Sequence, residues 1–277
     1  SRIFHAVAAQ LRTQAKKLAS QMAIEMGKPI TQGLAEIEKC AVNCDFYADQ
    51  GAALLADDAL QLQSARVQYQ PLGTVLAVMP WNFPFWQVLR CVAPIVMAGN
   101  AMVLKHASNV MGCAVMIEDV LSAAGLPQDL FRTLKISARQ VGDVIRHPVI
   151  SAVTLTGSEP AGRSVSAMAA AELKPCVLEL GGSDPFIVLE DADVEEAAKV
   201  GAWARNQNTG QSCIAAKRFI VADAVFDKFV DLFTSRVRAL NVGDPMDSQT
   251  EVGPMARVDL RDELHDQVVR SVAAGAK

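Results

Sequence analysis

The sequence predicts an α/β protein built on a doubly wound parallel sheet. Strand-like apolar runs alternate with helical patterns along most of the chain, which is the order that parallel βαβ units require. The 277 residues are 51% hydrophobic, which suffices for one large domain or two ordinary domains with a substantial core. The strand-like runs are residues 74–79, 101–104, 131–136, 152–155, 176–180, 186–189 and 218–221.

Apolar residues at helical spacing predict helices between these strands. Asp193, followed three residues later by Glu196, predicts the start of another helix, because this pair resembles a capping box. The helices predicted between the strands are residues 85–98, 110–124, 138–147 and 161–172.

The first part of the chain is predicted to be helical. Residues 3–26 show one helical pattern, which Gly27-Lys28-Pro29 ends. A second helix is indicated by a stripe of apolar side chains that we expect to be buried. Its members are Leu34, Ile37, Ala41, Cys44 and Ala48.

Residues 60–70 change to a period of two. Apolar Leu60, Leu62, Val67 and Tyr69 alternate with polar residues, which is typical of an amphipathic hairpin. A two-stranded ribbon is marginal alone and needs another domain or subunit to pack against. We therefore expect this hairpin to be an oligomerisation element.

Composition excludes several classes of function. The net charge is −4 and the basic residues are scattered, so no basic face for nucleic acid is predicted. Apolar stretches fall far short of the roughly 20 residues of a spanning helix, so we predict no membrane association. The six cysteines lack metal-like spacing, so we predict no metal site and expect reduced thiols in a cytoplasm.

Four loops that follow predicted strands carry polar and glycine residues. Ligands bind outside the carboxyl ends of parallel strands, so chemistry is expected in these loops. The loops are Pro80-Trp81-Asn82-Phe83-Pro84, Lys105-His106-Ala107-Ser108, Thr156-Gly157-Ser158-Glu159 and Glu179-Leu180-Gly181-Gly182.

Cys213 is the strongest candidate nucleophile. It follows Asn208-Thr209-Gly210-Gln211-Ser212, in which Gly210 lets the backbone approach a substrate closely. A helix running on from this cysteine would favour its thiolate. The alternative is that Cys213 packs as a small hydrophobic residue, as free cysteines commonly do.

Taken in order with Gly253-Pro254, these loops and Cys213 resemble the aldehyde dehydrogenase superfamily over nearly the whole chain. The resemblance implies a cofactor-binding domain at residues 1–59 and 71–180, the oligomerisation hairpin at 60–70, and a catalytic α/β domain at 181–277. Members continue past this point and the chain opens inside a helical pattern. We therefore expect it to be truncated at both ends.

The resemblance implies a role for each catalytic residue. Cys213 attacks the aldehyde carbon, and the Asn82 amide and the Cys213 backbone N–H hold the resulting oxyanion. Glu179 activates the water that hydrolyses the thioester, and we expect burial at the end of its strand to strengthen it as a base. Considered alone, Asn82 is equally a turn residue and Glu179 a surface glutamate.

The resemblance also implies an NADP or NAD site. Lys105 matches the lysine that meets the adenosine ribose, and Ser108 stands where many NAD-preferring members carry glutamate. Since serine does not repel a 2′-phosphate, NADP should be accepted. The implied cofactor-binding residues are Trp81, Asn82, Lys105, Ser108, Gly157, Ser158 and Leu180.

Within the superfamily the chain looks most like bacterial succinate-semialdehyde dehydrogenases. Arg90 matches an arginine that binds the substrate carboxylate there, although a helix-surface arginine is the competing interpretation. Gln207 replaces a second such arginine. We expect a homo-oligomeric enzyme, a dimer or tetramer, acting on succinate semialdehyde. The alternatives are a broader enzyme for neutral aldehydes and a non-catalytic truncated chain.

Overall fold

The computed structural model describes residues 1–59 and 65–276. The chain begins with three helices. They are α1 (Arg2–Thr13), α2 (Ala15–Met26) and α3 (Ile30–Leu54). The prediction of one helix over residues 3–26 is therefore wrong, because Gln14 separates α1 from α2 with a ψ of 7°. The sequence near Gln14 contains neither glycine nor proline, so nothing in the helical pattern marks the break.

The apolar stripe of α3 is buried at four of its five predicted positions, namely Ile37, Ala41, Cys44 and Ala48. The prediction that Leu34 is buried is wrong, because 38% of this residue is exposed. Glu36 lies on the buried face instead, with 4% exposed. A hydrophobic pattern cannot identify a buried carboxylate, which is stabilised by partners that are distant in the sequence.

One short strand lies just before the predicted hairpin segment, residues 60–70, and a second lies within it. Strand β1 (Asp58–Ala59) pairs antiparallel with β2 (Arg66–Val67). Leu60 and Leu62 lie outside the described residues. Val67 and Tyr69 are 39% and 52% exposed, so this ribbon presents apolar side chains on its surface.

A five-stranded parallel sheet follows, as predicted. Its strands are β3 (Thr74–Met79), β4 (Ala101–His106), β5 (Phe131–Thr133), β6 (Ile150–Gly157) and β7 (Cys176–Leu180). The spatial order is β5-β4-β3-β6-β7. The order reverses between β3 and β6, so these two strands form the topological switch point of a doubly wound sheet.

Helices connect these strands in the predicted places. They are α4 (Trp86–Met97), α5 (Met111–Ala123), α6 (Val141–Arg146) and α7 (Glu159–Ala171). The helix predicted over residues 138–147 is shorter than expected, because Ala138–Gln140 forms a 3₁₀ turn that Ser137 and Gln140 cap. The core beneath α6 and α7 contains Leu76, Ile145, Val153, Leu155 and Val165.

The described residues divide into two compact units. The first contains residues 1–21 and 33–181, and the second contains residues 22–32 and 182–277. The second includes β8 (Asp184–Val188), α8 (Val194–Asn206), β9 (Ala216–Val221), α9 (Asp223–Arg238) and α10 (Val258–Ala273). Strands β8 and β9 are parallel. Cofactor-binding and catalytic roles for the predicted domains stay predictions.

The second unit has its own aromatic core. Phe219 of β9 lies 5.3 Å from Phe186 of β8 and 4.7 Å from Phe233 of α9, measured between ring centroids. Asp193 begins α8 as predicted, because its Oδ1 accepts hydrogen bonds from the backbone N–H groups of Glu195 and Glu196. In the described part of the chain, no helix is long and apolar enough to cross a membrane.

Candidate active site

The sheet brings most of the predicted site residues of the first unit to one edge. Lys105 pairs with Val78 near the end of β3, and Glu179 pairs with Thr156 near the end of β6. Gly157 and Leu180 are the next pair. Because all of these strands are parallel, their carboxyl ends lie side by side, and the switch point lies between them.

Two buried side chains hold the loop that carries Trp81 and Asn82. The Glu36 carboxylate accepts the backbone N–H groups of Phe85 and Trp86 at 3.0 and 2.9 Å, which caps the start of α4. Sequence reasoning missed Glu36. Its only signal is a carboxylate on the predicted buried face of a helix.

His106 holds the same loop from β4. Its Nε2 lies 3.0 Å from the Pro84 carbonyl oxygen, and its Nδ1 lies 2.9 Å from the Ala107 backbone N and 3.3 Å from the Met79 carbonyl oxygen. The ring is fully buried. Both ring nitrogens therefore face the backbone around the loop that carries Asn82, which makes His106 a positioning residue for that loop.

The turn at Gly157 and Ser158 joins β6 to α7. Ser158 is the N-cap residue of α7, and its Oγ accepts the Ala161 backbone N–H at 3.4 Å. A Cβ on Gly162 would lie 2.6 Å from the Leu180 Cδ2 atom, so a larger residue there would require the Leu180 side chain to move. This strand, turn and helix resemble a dinucleotide-binding unit, in which the helix N-terminus faces phosphate.

Lys105, near the end of β4, and Ser108, just after that strand, lie at the same edge of the sheet. Lys105 is half-buried, and burial lowers its pKa. Ser108 begins a 3₁₀ turn over Ser108–Val110 and is exposed. The pair therefore offers a cation and a hydroxyl group without a carboxylate at the serine position.

Arg90 contacts the end of strand β6 rather than extending from the helix surface. Its Nη2 donates to the Thr156 hydroxyl at 2.8 Å. Its Nε is buried and has no hydrogen-bond partner among the described residues. Since Thr156 pairs with Glu179, the guanidinium reaches the strand ends that carry the other site residues of this unit.

Glu179 differs from expectation in its surroundings. We expected burial at the end of an apolar strand, but Glu179 is exposed, as are Val177 and Leu180 of the same strand. Cys176 and Leu178 pack against the core, and Val177 and Glu179 alternate with them on the other face of β7. The prediction that Glu179 is buried is therefore wrong for this structure.

Cys213 belongs to the second unit and is half-buried in a turn before β9. The helix considered after this cysteine is wrong, because residues 216–221 form a strand. The thiol therefore gains no stabilisation from a following helix dipole.

That loop has a strained backbone. Asn208 and Thr209 have φ values of 54° and 58°, and Gly210 has 71°, so three consecutive residues are left-handed. A β-branched threonine rarely adopts this conformation, which costs about 1–3 kcal/mol for a non-glycine residue. Gln32 stabilises the run by accepting the Asn208 N–H at 2.6 Å, and the Thr209 hydroxyl accepts the Gly253 N–H at 3.1 Å.

The Gly253-Pro254 motif has a packing role. A Cβ on Gly253 would lie 2.1 Å from the Gly27 carbonyl oxygen, and one on Gly27 would lie 2.5 Å from the Pro254 carbonyl oxygen. Gly27 also has a φ of 74°. The motif therefore lets two backbone segments of the second unit touch.

The other cysteines are poorer nucleophiles than a half-buried loop thiol. Burial raises the pKa of Cys44 to about 12, and burial also raises the pKa values of Cys91 and Cys176. Cys40 and Cys113 are fully buried. Across residues 1–59 and 65–276, no three His, Cys, Asp or Glu side chains are grouped so that they could hold a metal ion.

Comparison with known proteins identifies the family. The family model described as "Aldehyde dehydrogenase family" matches residues 1–277. Sad of Escherichia coli strain K12, a succinate semialdehyde dehydrogenase using NAD(P)+, is 51% identical over 269 residues, 96% of this chain and 58% of that protein. The NADP+ succinate-semialdehyde dehydrogenase of Mycobacterium avium strain 104 is 52% identical over 277 residues, 98% of this chain and 59% of that protein.

A solved structure gives the same relationship. Succinic semialdehyde dehydrogenase from Streptococcus pyogenes, in complex with NADP+, superposes with a TM-score of 0.96 at 38% identity. The superposition covers 99% of this chain and 61% of that one, so the chain spans about three fifths of the relatives it matches. The resemblance inferred from the motifs is confirmed: the chain belongs to the aldehyde dehydrogenase family.

Proposed function

We propose that this chain provides the thiol nucleophile and the dinucleotide-binding fold for oxidation of succinate semialdehyde to succinate with NADP+ or NAD+. The observation that carries the proposal is the left-handed run before Cys213, since strained backbone persists where surrounding contacts enforce it and is common at active sites. Relatives that are about half identical in sequence are named for this reaction.

The proposed chemistry begins at Cys213. Its thiolate Sγ attacks the aldehyde carbon, and the carbonyl oxygen becomes the oxyanion of a thiohemiacetal. The Asn82 side-chain N–H and the Cys213 backbone N–H donate to that oxyanion. Such donors are worth about 2.7–4 kcal/mol each in acyl-transfer enzymes.

Collapse of the thiohemiacetal releases a hydride and leaves a thioester on Cys213. When bound, NADP+ or NAD+ supplies the hydride acceptor. Glu179 then takes a proton from water, whose oxygen attacks the thioester carbon. Succinate leaves and the Cys213 thiolate is restored, so Glu179 acts as a general base in the second half of the reaction.

The first unit fits a dinucleotide. Gly157 and Ser158 present the N-terminus of α7 after a parallel strand, and Gly162 allows close packing of that helix against β7. Lys105 and Ser108 favour NADP, because no carboxylate at residue 108 repels a 2′-phosphate. Trp81, Asn82 and Leu180 are the other residues proposed to hold the cofactor.

We also propose assembly into a homo-oligomer. The ribbon of β1 and β2 leaves Val67 and Tyr69 exposed, and a two-stranded element of this size needs a partner to pack against. A cytoplasmic location remains a prediction from the reduced thiols.

The proposal is tested by assaying the purified protein for NADP+ reduction with succinate semialdehyde, propanal and benzaldehyde. We expect kcat/KM for succinate semialdehyde to exceed that for either neutral aldehyde by about tenfold or more, because a guanidinium can bind its carboxylate. Equal efficiency with all three supports the broader enzyme, for which the Arg90 bond to Thr156 is the favouring observation. A stably folded protein without turnover supports the non-catalytic alternative.

Arg90→Ala tests the carboxylate subsite. We expect KM for succinate semialdehyde to rise about 10–100-fold with little change in kcat, because a charge-assisted contact to a non-reacting group is made equally in ground and transition states. Steady-state kinetics with succinate semialdehyde and propanal measure the difference. An equal loss with propanal, which has no carboxylate, would assign Arg90 to folding of the strand end at Thr156.

A further inference from the structure

Arg205 bridges the two ends of the loop that contains Cys213. Its Nη2 donates to the Gly210 carbonyl oxygen at 2.6 Å, and its Nη1 donates to the Ala216 carbonyl oxygen at 3.0 Å. These carbonyls belong to residues three before and three after the cysteine. One planar guanidinium thus fixes the separation of the loop ends.

Arg205 is well placed for this task. It lies in the last turn of α8, where a cation also interacts favourably with the helix dipole. The side chain is half-buried, and burial lowers its pKa, so its water is largely replaced by the two carbonyl oxygens. A surface arginine without such contacts would show neither the burial nor the lowered pKa.

Gly210 is adapted to the same contact. A Cβ at this position would lie 2.8 Å from the Arg205 Nη2, and the φ of 71° disfavours any residue other than glycine. The left-handed conformation and the bond to Arg205 therefore depend on the same residue. The bond from the guanidinium therefore helps to hold the loop in the conformation that strains the residues before Gly210.

A second cation contacts the loop at the cysteine itself. The Lys217 ammonium donates to the Cys213 carbonyl oxygen at 2.6 Å and to the Ala215 carbonyl oxygen at 3.4 Å. These bonds hold the backbone at and after the cysteine, as the Arg205 bonds hold the two ends of the loop.

We propose that Arg205 is the positioning residue of the Cys213 nucleophile, holding the loop ends at Gly210 and Ala216 so that the sulfur is correctly presented, with Lys217 in support. The inference rests on the proposed role of Cys213. It adds a residue that acts through the backbone of the nucleophile loop and does not touch the aldehyde.

The test is the rate at which iodoacetamide alkylates Cys213 in the purified protein, followed by peptide mass spectrometry at fixed pH. We expect Arg205→Met to slow alkylation about tenfold, because a loop without the bridge between its ends spends less time in the conformation that presents the sulfur. Arg205→Lys, which retains the charge without the planar fork, should recover part of the rate. Lys199→Met, which removes an exposed cation from the same helix, should alkylate like the parent protein.

Alkylation does not require turnover, so the two proposals fail separately. Slowed alkylation in a protein that oxidises no aldehyde supports the positioning role and overturns the proposed function. An unchanged or faster rate in Arg205→Met, with circular dichroism showing a folded protein, overturns the positioning role. If Arg205→Met does not fold, Arg205→Lys and Lys217→Met are compared with the parent protein instead. Parent-like alkylation rates in both variants would overturn the positioning role.

Discussion

Replacing Cys213 with alanine should abolish aldehyde oxidation. We expect kcat to fall by roughly 10⁶-fold, the size of loss seen when a protease nucleophile is removed, because no covalent intermediate can form. Binding of NADP+ should persist, since the residues proposed to hold it are in the other compact unit. Stopped-flow absorbance measures the first reduction event, and calorimetric titration measures NADP+ affinity.

Cys176→Ala is the matched control. Cys176 is half-buried in β7, and burial raises the pKa of its thiol, so it is a weak nucleophile in a different unit. The control should retain parent-like turnover. Residual oxidation by Cys213→Ala above a few per cent of the parent rate would show that another group attacks the aldehyde, and the proposed mechanism would then be rejected.

Regular elements were well predicted where packing imposes a strict period. The strand Cys176–Leu180 was predicted with its observed bounds, and α4 lies within one residue of its predicted ends. Short runs and breaks were harder. The strand predicted over residues 131–136 ends at Thr133, and the interruption at Gln14 lacks any local signal. Such features depend on contacts that are distant in the sequence.

The motif residues could be identified from the sequence because short groups of polar and glycine residues follow the predicted strands. The side chains that support these motif residues could not be identified in this way. Glu36 is distant in sequence from the N–H groups that it caps, and Gln32 accepts a bond from Asn208, which lies 176 residues later. Arg205 is close in sequence to Cys213, but its bond to the Gly210 carbonyl oxygen depends on a loop conformation that the residue spacing does not show.

Glu179 lies in a strand that was predicted correctly, but its burial was predicted wrongly. An apolar run predicts burial only if both faces of the strand are covered, and the sequence does not show which faces are covered. Here Cys176 and Leu178 pack against the core, whereas Val177 and Glu179 on the other face of β7 are exposed.

Glu179→Gln separates the two halves of the proposed reaction. Glutamine retains the size of the side chain but cannot take a proton from water, so hydrolysis of the thioester should slow by about 10²–10⁴-fold. Attack by Cys213 and hydride release do not use Glu179. We therefore expect one rapid equivalent of NADP+ reduction per active site, followed by very slow turnover, measured by stopped-flow absorbance.

Mass spectrometry of the quenched variant should detect the acyl group on the peptide that contains Cys213. Adding hydroxylamine, a nucleophile that cleaves thioesters without a protein base, should restore turnover in part. Loss of the initial burst together with the steady-state rate would mean that Glu179 is needed before hydride release. In that case Glu179 would activate the Cys213 thiol in the first half of the reaction. Its proposed role in activating water would then be wrong.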